Sequence, residues 1–128
     1  MAPADPELSF PARVFVYGTL LAGEANHGLL ATACFVTAAR TQQAFELRDL
    51  GAFPGLVAVA GGGHVVVGEV YEVDAPTMVA LDQLEDHPAF YLRTRVVLEG
   101  GLEVWTYLLP LAQVEHCPVI TSGSWLAR

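Results

Sequence analysis

Arg13-Val14-Phe15-Val16-Tyr17-Gly18-Thr19-Leu20 is the stretch from which the fold can be read. Its β-branched and aromatic run, closed by glycine, reads as a buried strand that leaves the core at a turn. Upstream, residues 1–11 are acidic and Pro-rich and read as a flexible N-terminal arm, which leaves 12–128 as a single domain. Downstream, a polar turn runs through Gly23, and Asn26 is placed to cap a short helix over 27–33. Strands are expected over 34–38 and 45–50, with turns at Asp49-Leu50-Gly51 and Phe53-Pro54-Gly55. Residues 56–60 and 65–73 are expected to pair as a hairpin across Gly61-Gly62-Gly63. Asp74 offers an N-cap and Pro76 suits a first turn, so a helix should run to about Glu85 and stop before Pro88. A second hairpin, 91–99 with 103–109, should turn at Gly100-Gly101. The tail Pro118-Val119-Ile120-Thr121-Ser122-Gly123-Ser124-Trp125 should dock through its apolar residues. Six or seven short strands with one clear helix imply an α+β fold, largely β, with helices on its rim.

Composition narrows the function. Of 128 residues, 53% are hydrophobic and 16% charged, which excludes an intrinsically disordered chain. The formal charge is -8, and all six basic residues are Arg, scattered from Arg13 to Arg128. Binding to nucleic acid or to an anionic membrane surface needs a basic stripe, and none exists. An anionic small molecule is still compatible, because backbone N–H groups bind carboxylates without basic side chains. Cys34 and Cys117 make neither a disulfide framework nor a zinc pattern and read as reduced thiols of a cytoplasmic protein. Residues 50–68 carry no Asp, Glu, Lys or Arg, yet they include Pro54, His64 and six glycines. A spanning helix would not, so strand, turn and strand is the better reading.

Two places carry candidate chemistry. At Tyr17-Gly18-Thr19-Leu20, glycine at a strand end lets consecutive N–H groups converge on an anion. An ordinary exit from a strand would look the same. In the helix, Met78, Leu81 and Leu84 mark a core face, and Glu85 follows Leu81 by four residues. Spacing alone leaves Glu85 either beside that face or turned to water with Asp82 and Asp86. In the first case burial, the negative helix end and the two acids would all disfavour its ionised form, which suits a general acid/base. Tyr91 could reach the same place, although an aromatic opening a strand also suits a core. The histidines are dispersed, with no HxH or HExxH, so no metal site is expected. A thiol hydrolase using Cys34 or Cys117 is a further reading; buried filler is the simpler role for either cysteine.

The order of these segments adds what none carries singly. Phe15-Val16-Tyr17-Gly18-Thr19-Leu20, Gly51-Ala52-Phe53-Pro54-Gly55, Val67-Gly68-Glu69-Val70-Tyr71, and Leu81-Asp82-Gln83-Leu84-Glu85 with Tyr91 and Arg93 together resemble the γ-glutamylcyclotransferase-like family. The tail Ile120-Thr121-Ser122-Gly123-Ser124-Trp125 is similar to that family's closing motif, so the resemblance covers about residues 13–125. It implies a small mixed β-barrel with flanking short helices and a cavity lined by the Tyr17–Leu20 segment and the helix-end glutamate. It further implies that the α-amine of a γ-glutamyl substrate attacks its own γ-carbonyl, releasing 5-oxoproline and an amine without metal or cofactor. On that resemblance Glu85 is the catalytic acid/base, and Tyr17, Gly18, Thr19, Leu20 and Tyr91 bind substrate. Two positions depart from the family's usual pattern: Asp86 stands where glycine is common, and Ser124 where Asp is. A non-catalytic binding or interaction module of the same fold is the alternative. Nothing in the pattern sets an oligomeric state.

Overall fold

In the computed structural model, which describes residues 8–128, the apolar run forms β1 (Ala12–Val16), and Tyr17 continues it into the turn. Then come β2 (Cys34–Arg40), β3 (Phe45–Asp49), β4 (Pro54–Ala58), β5 (Val67–Val73), α1 (Ala75–Leu84), β6 (Leu92–Val97), β7 (Glu103–Leu108) and the short α2 (Leu111–Val114). The strands make one mixed sheet in the order β2-β5-β1-β7-β4-β3, with β6 also on β7. β1 lies inside this sheet, antiparallel to β5 from Ala12↔Val73 to Val16↔Glu69 and parallel to β7 at Val14↔Trp105. A central strand covered on both faces needs no polar alternation, which is why Val14, Phe15 and Val16 are all buried. An isolated bridge, Thr41↔Leu98, ties the chain after β2 to the end of β6, and the Glu99 N–H donates to the Arg40 carbonyl at 3.0 Å. These contacts curl the sheet into an incomplete barrel. Among the described residues no helix is long and apolar enough to cross a membrane.

Residues 1–7 of the expected arm lie outside the described residues, and Leu8 packs partly buried against the core. The second expected hairpin forms, with β6 and β7 paired from Leu92↔Leu108 to Val97↔Glu103. The first does not. β4 pairs with β3 (Leu47↔Leu56) and with β7, whereas β5 pairs with β1 and β2. Pro54-Gly55 belongs to β4 rather than to a turn, and the chain reverses through residues 50–53, where the Leu50 N–H donates to the Phe53 carbonyl at 3.1 Å. Burial decides it: Pro54, Gly55, Leu56 and Val57 are all buried, so β4 takes inner partners and the glycine triplet becomes a crossing loop.

The expected helix over 27–33 is shorter, a single 3₁₀ turn His27–Leu30, and Asn26 makes no side-chain cap. The Asn26 amide instead donates to the Thr19 hydroxyl at 2.9 Å. α1 is capped as expected, with the Asp74 carboxylate accepting from the Thr77 N–H at 2.9 Å. Met78 and Leu81 seat it on the sheet, each worth roughly 1.5–3 kcal/mol of apolar burial. Leu84 departs from the expected core face: it is 40% exposed and borders the cavity described next.

Candidate active site

Where β1 ends, the chain makes a tight turn in which the Leu21 N–H returns to the Gly18 carbonyl at 3.0 Å. The N–H groups of Thr19 and Leu20, at the tip of that turn, find no acceptor among the described residues. The turn is held from outside. The Asn26 N–H donates to the Thr19 carbonyl at 2.8 Å, and His27 Nδ1 meets the Leu20 carbonyl at 2.9 Å. Glu69 on β5 accepts from the Ala22 N–H and from the Tyr71 hydroxyl, both at 3.0 Å, and burial, helped by that bond and the Glu69 charge, pushes the Tyr71 phenol up to about 12. The tail adds another tie, since Trp125 is buried and its indole N–H donates to Glu24 at 3.0 Å. Segments far apart in sequence thus converge on one loop.

The loop opens onto a cavity of about 440 Å³ whose lining includes Tyr17, Gly18, Thr19, Leu20, Glu85 and Tyr91. Phe53, Pro54, Leu84 and Phe90 supply much of its apolar wall, and no Arg, Lys or His is among its lining residues. Glu85 caps α1, and its carboxyl makes no hydrogen bond among the described residues. Burial away from water disfavours the carboxylate and pushes the Glu85 pKa up to about 7. The sequence also suggested a contribution from Asp82, but that carboxylate is already engaged, by the Arg93 guanidinium through Oδ2 and by the Tyr107 hydroxyl through Oδ1 at 2.7 Å.

The tyrosines shape the cavity through their hydroxyls. Tyr17 donates to the Tyr107 carbonyl at 2.6 Å and accepts from the Leu56 N–H at 3.2 Å. Tyr91 donates to the Pro54 carbonyl at 2.7 Å. Burial holds Tyr17 and Tyr91 well above the ordinary phenol range, so both stay neutral with their one proton committed to backbone. Pro54 packs directly on Gly18: a Cβ built there would lie 2.5 Å from Pro54 Cγ. Close approach therefore requires glycine at this position, and Gly18 is not among the positive-φ residues.

Asp86 is the one described non-glycine residue with positive φ, at 52°. Around it the Asp86 N–H bonds the Gln83 carbonyl at 3.3 Å and the His87 N–H bonds the Asp82 carbonyl at 2.9 Å. This is the two-bond helix ending that usually places glycine in the left-handed position. Asp tolerates that conformation better than most residues, and it leaves Glu85 at the cavity wall. Asp86→Ala should cost about 1 kcal/mol in chemical denaturation, whereas Asp86→Gly should be close to neutral. Equal stability of Asp86→Ala and wild type would show that the position carries no strain.

Tyr107, Asn26 and Pro54 escaped the sequence reading as site residues. Tyr107 looks like any inward aromatic of a strand, and only its register opposite Arg93 brings its hydroxyl to Asp82. The pairing of Asn26 with Thr19 spans seven residues of irregular chain, a geometry that no helical or strand period encodes.

The profile of the family described as "γ-glutamyl cyclotransferase, AIG2-like" matches residues 14–127, and the chain belongs to that family. A Vibrio cholerae protein provisionally named a γ-glutamylcyclotransferase is 42% identical over 115 residues, covering 90% of this chain and 96% of that protein. The bovine γ-glutamylaminecyclotransferase is 44% identical over 108 residues, covering 75% of this chain and 64% of its own length. Among solved structures, an AIG2-like protein from Mus musculus superposes with a TM-score of 0.75 at 31% identity, covering 84% of each chain.

Proposed function

We propose that this cyclotransferase-family chain releases 5-oxoproline and a free amine from a γ-glutamyl amine, peptide or conjugate. The observation that carries the reading is the unpartnered Glu85 carboxyl, poised near neutrality in a cavity also lined by Thr19 and Leu20, whose N–H groups have no acceptor among the described residues. The N–H groups donate to the anionic oxygens of the γ-glutamyl head, a role for which the cavity lining offers no basic side chain. Folding the head into this space brings its α-nitrogen against its own γ-carbonyl, so the gain is mainly one of proximity. Glu85 takes a proton from the α-ammonium, and the α-nitrogen then forms its bond to the γ-carbon. The tetrahedral intermediate collapses as the original amide C–N bond breaks: Glu85 returns its proton to the leaving nitrogen, and the ring nitrogen gives up its second proton to the released amine, which departs as the ammonium and leaves neutral lactam. Tyr17 and Tyr91 orient the head by holding the walls through Tyr107 and Pro54. The two free thiols, Cys34 and Cys117, fit a reducing compartment such as the cytoplasm, and neither lines the cavity.

Incubation with a panel of γ-glutamyl compounds, with 5-oxoproline followed by mass spectrometry, tests the reaction directly; a panel yielding none would reject it. The pH profile makes a second test. Only the Glu85 carboxylate can accept the α-ammonium proton, so kcat/KM should rise with pH through an acid limb near 7. A limb near 4.5, the ordinary value of a glutamate, would argue for a solvated Glu85 and against this role.

A further inference from the structure

We infer that Asp82, Arg93 and Tyr107 form a positioning device that both aims the Glu85 end of α1 and cancels the half-buried Asp82 charge on the same helix. The geometry starts from the β6–β7 ladder, where Arg93 and Tyr107 are direct cross-strand partners. From these adjacent positions they divide the Asp82 carboxylate, Arg93 Nη1 taking Oδ2 and the Tyr107 hydroxyl taking Oδ1. Asp82 precedes Glu85 by three residues, close to one helical turn. The backbone of Arg93 grips the other side, its N–H donating to His87 Nδ1 at 2.9 Å. One residue thus fixes the chain both before and after Glu85. Tyr107 extends the tie to the opposite wall, because its carbonyl accepts the Tyr17 hydroxyl. The glutamate and the turn after β1 are therefore referred to the same strand.

The arrangement carries an internal cost. Arg93 is only 10% exposed, its guanidinium lies 5.5 Å from the Trp105 ring centroid, and its Nε is buried without an acceptor. A buried unmatched donor is unfavourable, so the geometry is retained for what the rest of the guanidinium does. A helix tether alone would be served by apolar packing. Pairing charge with charge achieves something packing does not: it keeps the Asp82 carboxylate from acting on Glu85 across the low-dielectric interior. The other titratable groups around Glu85 are Asp86 and His87 in the following turn, Tyr17 after β1, Tyr91 before β6 and Tyr107 on β7. Burial keeps the three phenols neutral through the working range.

The inference rests on reading Glu85 as the proton carrier, and its test reads Glu85 without relying on turnover. The side-chain carboxyl is titrated by ¹³C NMR, its resonance assigned by loss of the peak in Glu85→Gln. Arg93→Gln leaves Asp82 charged and unmatched, so the Glu85 midpoint should rise by about one pH unit. Asp82→Asn leaves the guanidinium unmatched, and the midpoint should fall by a similar amount. The double variant should return close to wild type, and Arg93→Lys, which keeps the charge, should move it least. Should Arg93→Gln fail to fold, the downward shift in Asp82→Asn and the small one in Arg93→Lys still decide the matter. Shifts of the same sign in both single variants, or stability losses with no shift, would overturn charge cancellation and leave a plain structural tether. Absence of 5-oxoproline from wild type, with the opposed shifts intact, would instead reject the proposed reaction alone.

Discussion

Glu85→Gln should give a folded protein whose turnover on its best substrate has fallen by at least ~10²–10⁴, the range expected when a general acid/base is removed. The amide matches the carboxyl in size, and Glu85 forms no hydrogen bond among the described residues that the change would break. The same substitution should stabilise the protein at neutral and alkaline pH. Burial raises the Glu85 pKa from 4.5 to about 7, so the folded chain binds this proton more tightly than the unfolded chain. That contribution is fully present below 4.5 and is lost as pH rises through about 7. Gln carries no such dependence. At pH 8 the variant should therefore exceed wild type by about 2–3 kcal/mol in chemical denaturation, with the difference shrinking toward pH 4. Activity lost while stability is gained is the signature of a group held in an unfavourable state for its chemistry. A folded Glu85→Gln protein that keeps wild-type turnover would remove Glu85 from the mechanism.

What the sequence revealed of this fold was local. β1 and the β6–β7 hairpin were legible because an apolar run closed by glycine, and two strands around Gly100-Gly101, specify their structure with their own residues. The partners of β4 were not. Three consecutive glycines signal a turn, but the choice between β5 and β7 as neighbour depends on which surface must be buried, and that is settled across the whole sheet. The site divides in the same way. Tyr17, Gly18, Thr19, Leu20, Glu85 and Tyr91 could be named in advance, and all line one cavity. The reasons for several were different from those the sequence suggested. Tyr91 spends its hydroxyl on Pro54, and Arg93, named only within the motif, is committed to Asp82. Side-chain roles of this kind follow from strand register, which the linear pattern does not fix.

Gly18→Val should weaken binding of 5-oxoproline, a mimic of the bound γ-glutamyl head, by at least about tenfold, whereas Thr19→Ala should change it little. The sequence motivates this through the backbone freedom of a glycine at the strand end; the structure supplies a stronger cause. A Cβ at position 18 would lie 2.5 and 2.7 Å from two ring carbons of Pro54, a residue buried at the start of β4. Pro54 has no flexible end to swing aside, so its backbone must move, and its carbonyl holds the Tyr91 hydroxyl. The added branches of valine then displace the turn that carries the unpartnered Thr19 and Leu20 N–H groups at the edge of the cavity. Thr19→Ala deletes only a hydroxyl that accepts from Asn26, leaving both backbone donors and the Asn26 N–H bond to the Thr19 carbonyl in place. Circular dichroism confirms that each variant folds, and calorimetric titration with 5-oxoproline reads the affinity. Combining Gly18→Ala with Pro54→Ala removes the ring carbons the new Cβ would meet, so this pair should bind better than Gly18→Ala alone. Near-normal binding by a folded Gly18→Val protein would sink the backbone cradle, because the turn could not have been displaced and still hold the ligand through those two amides.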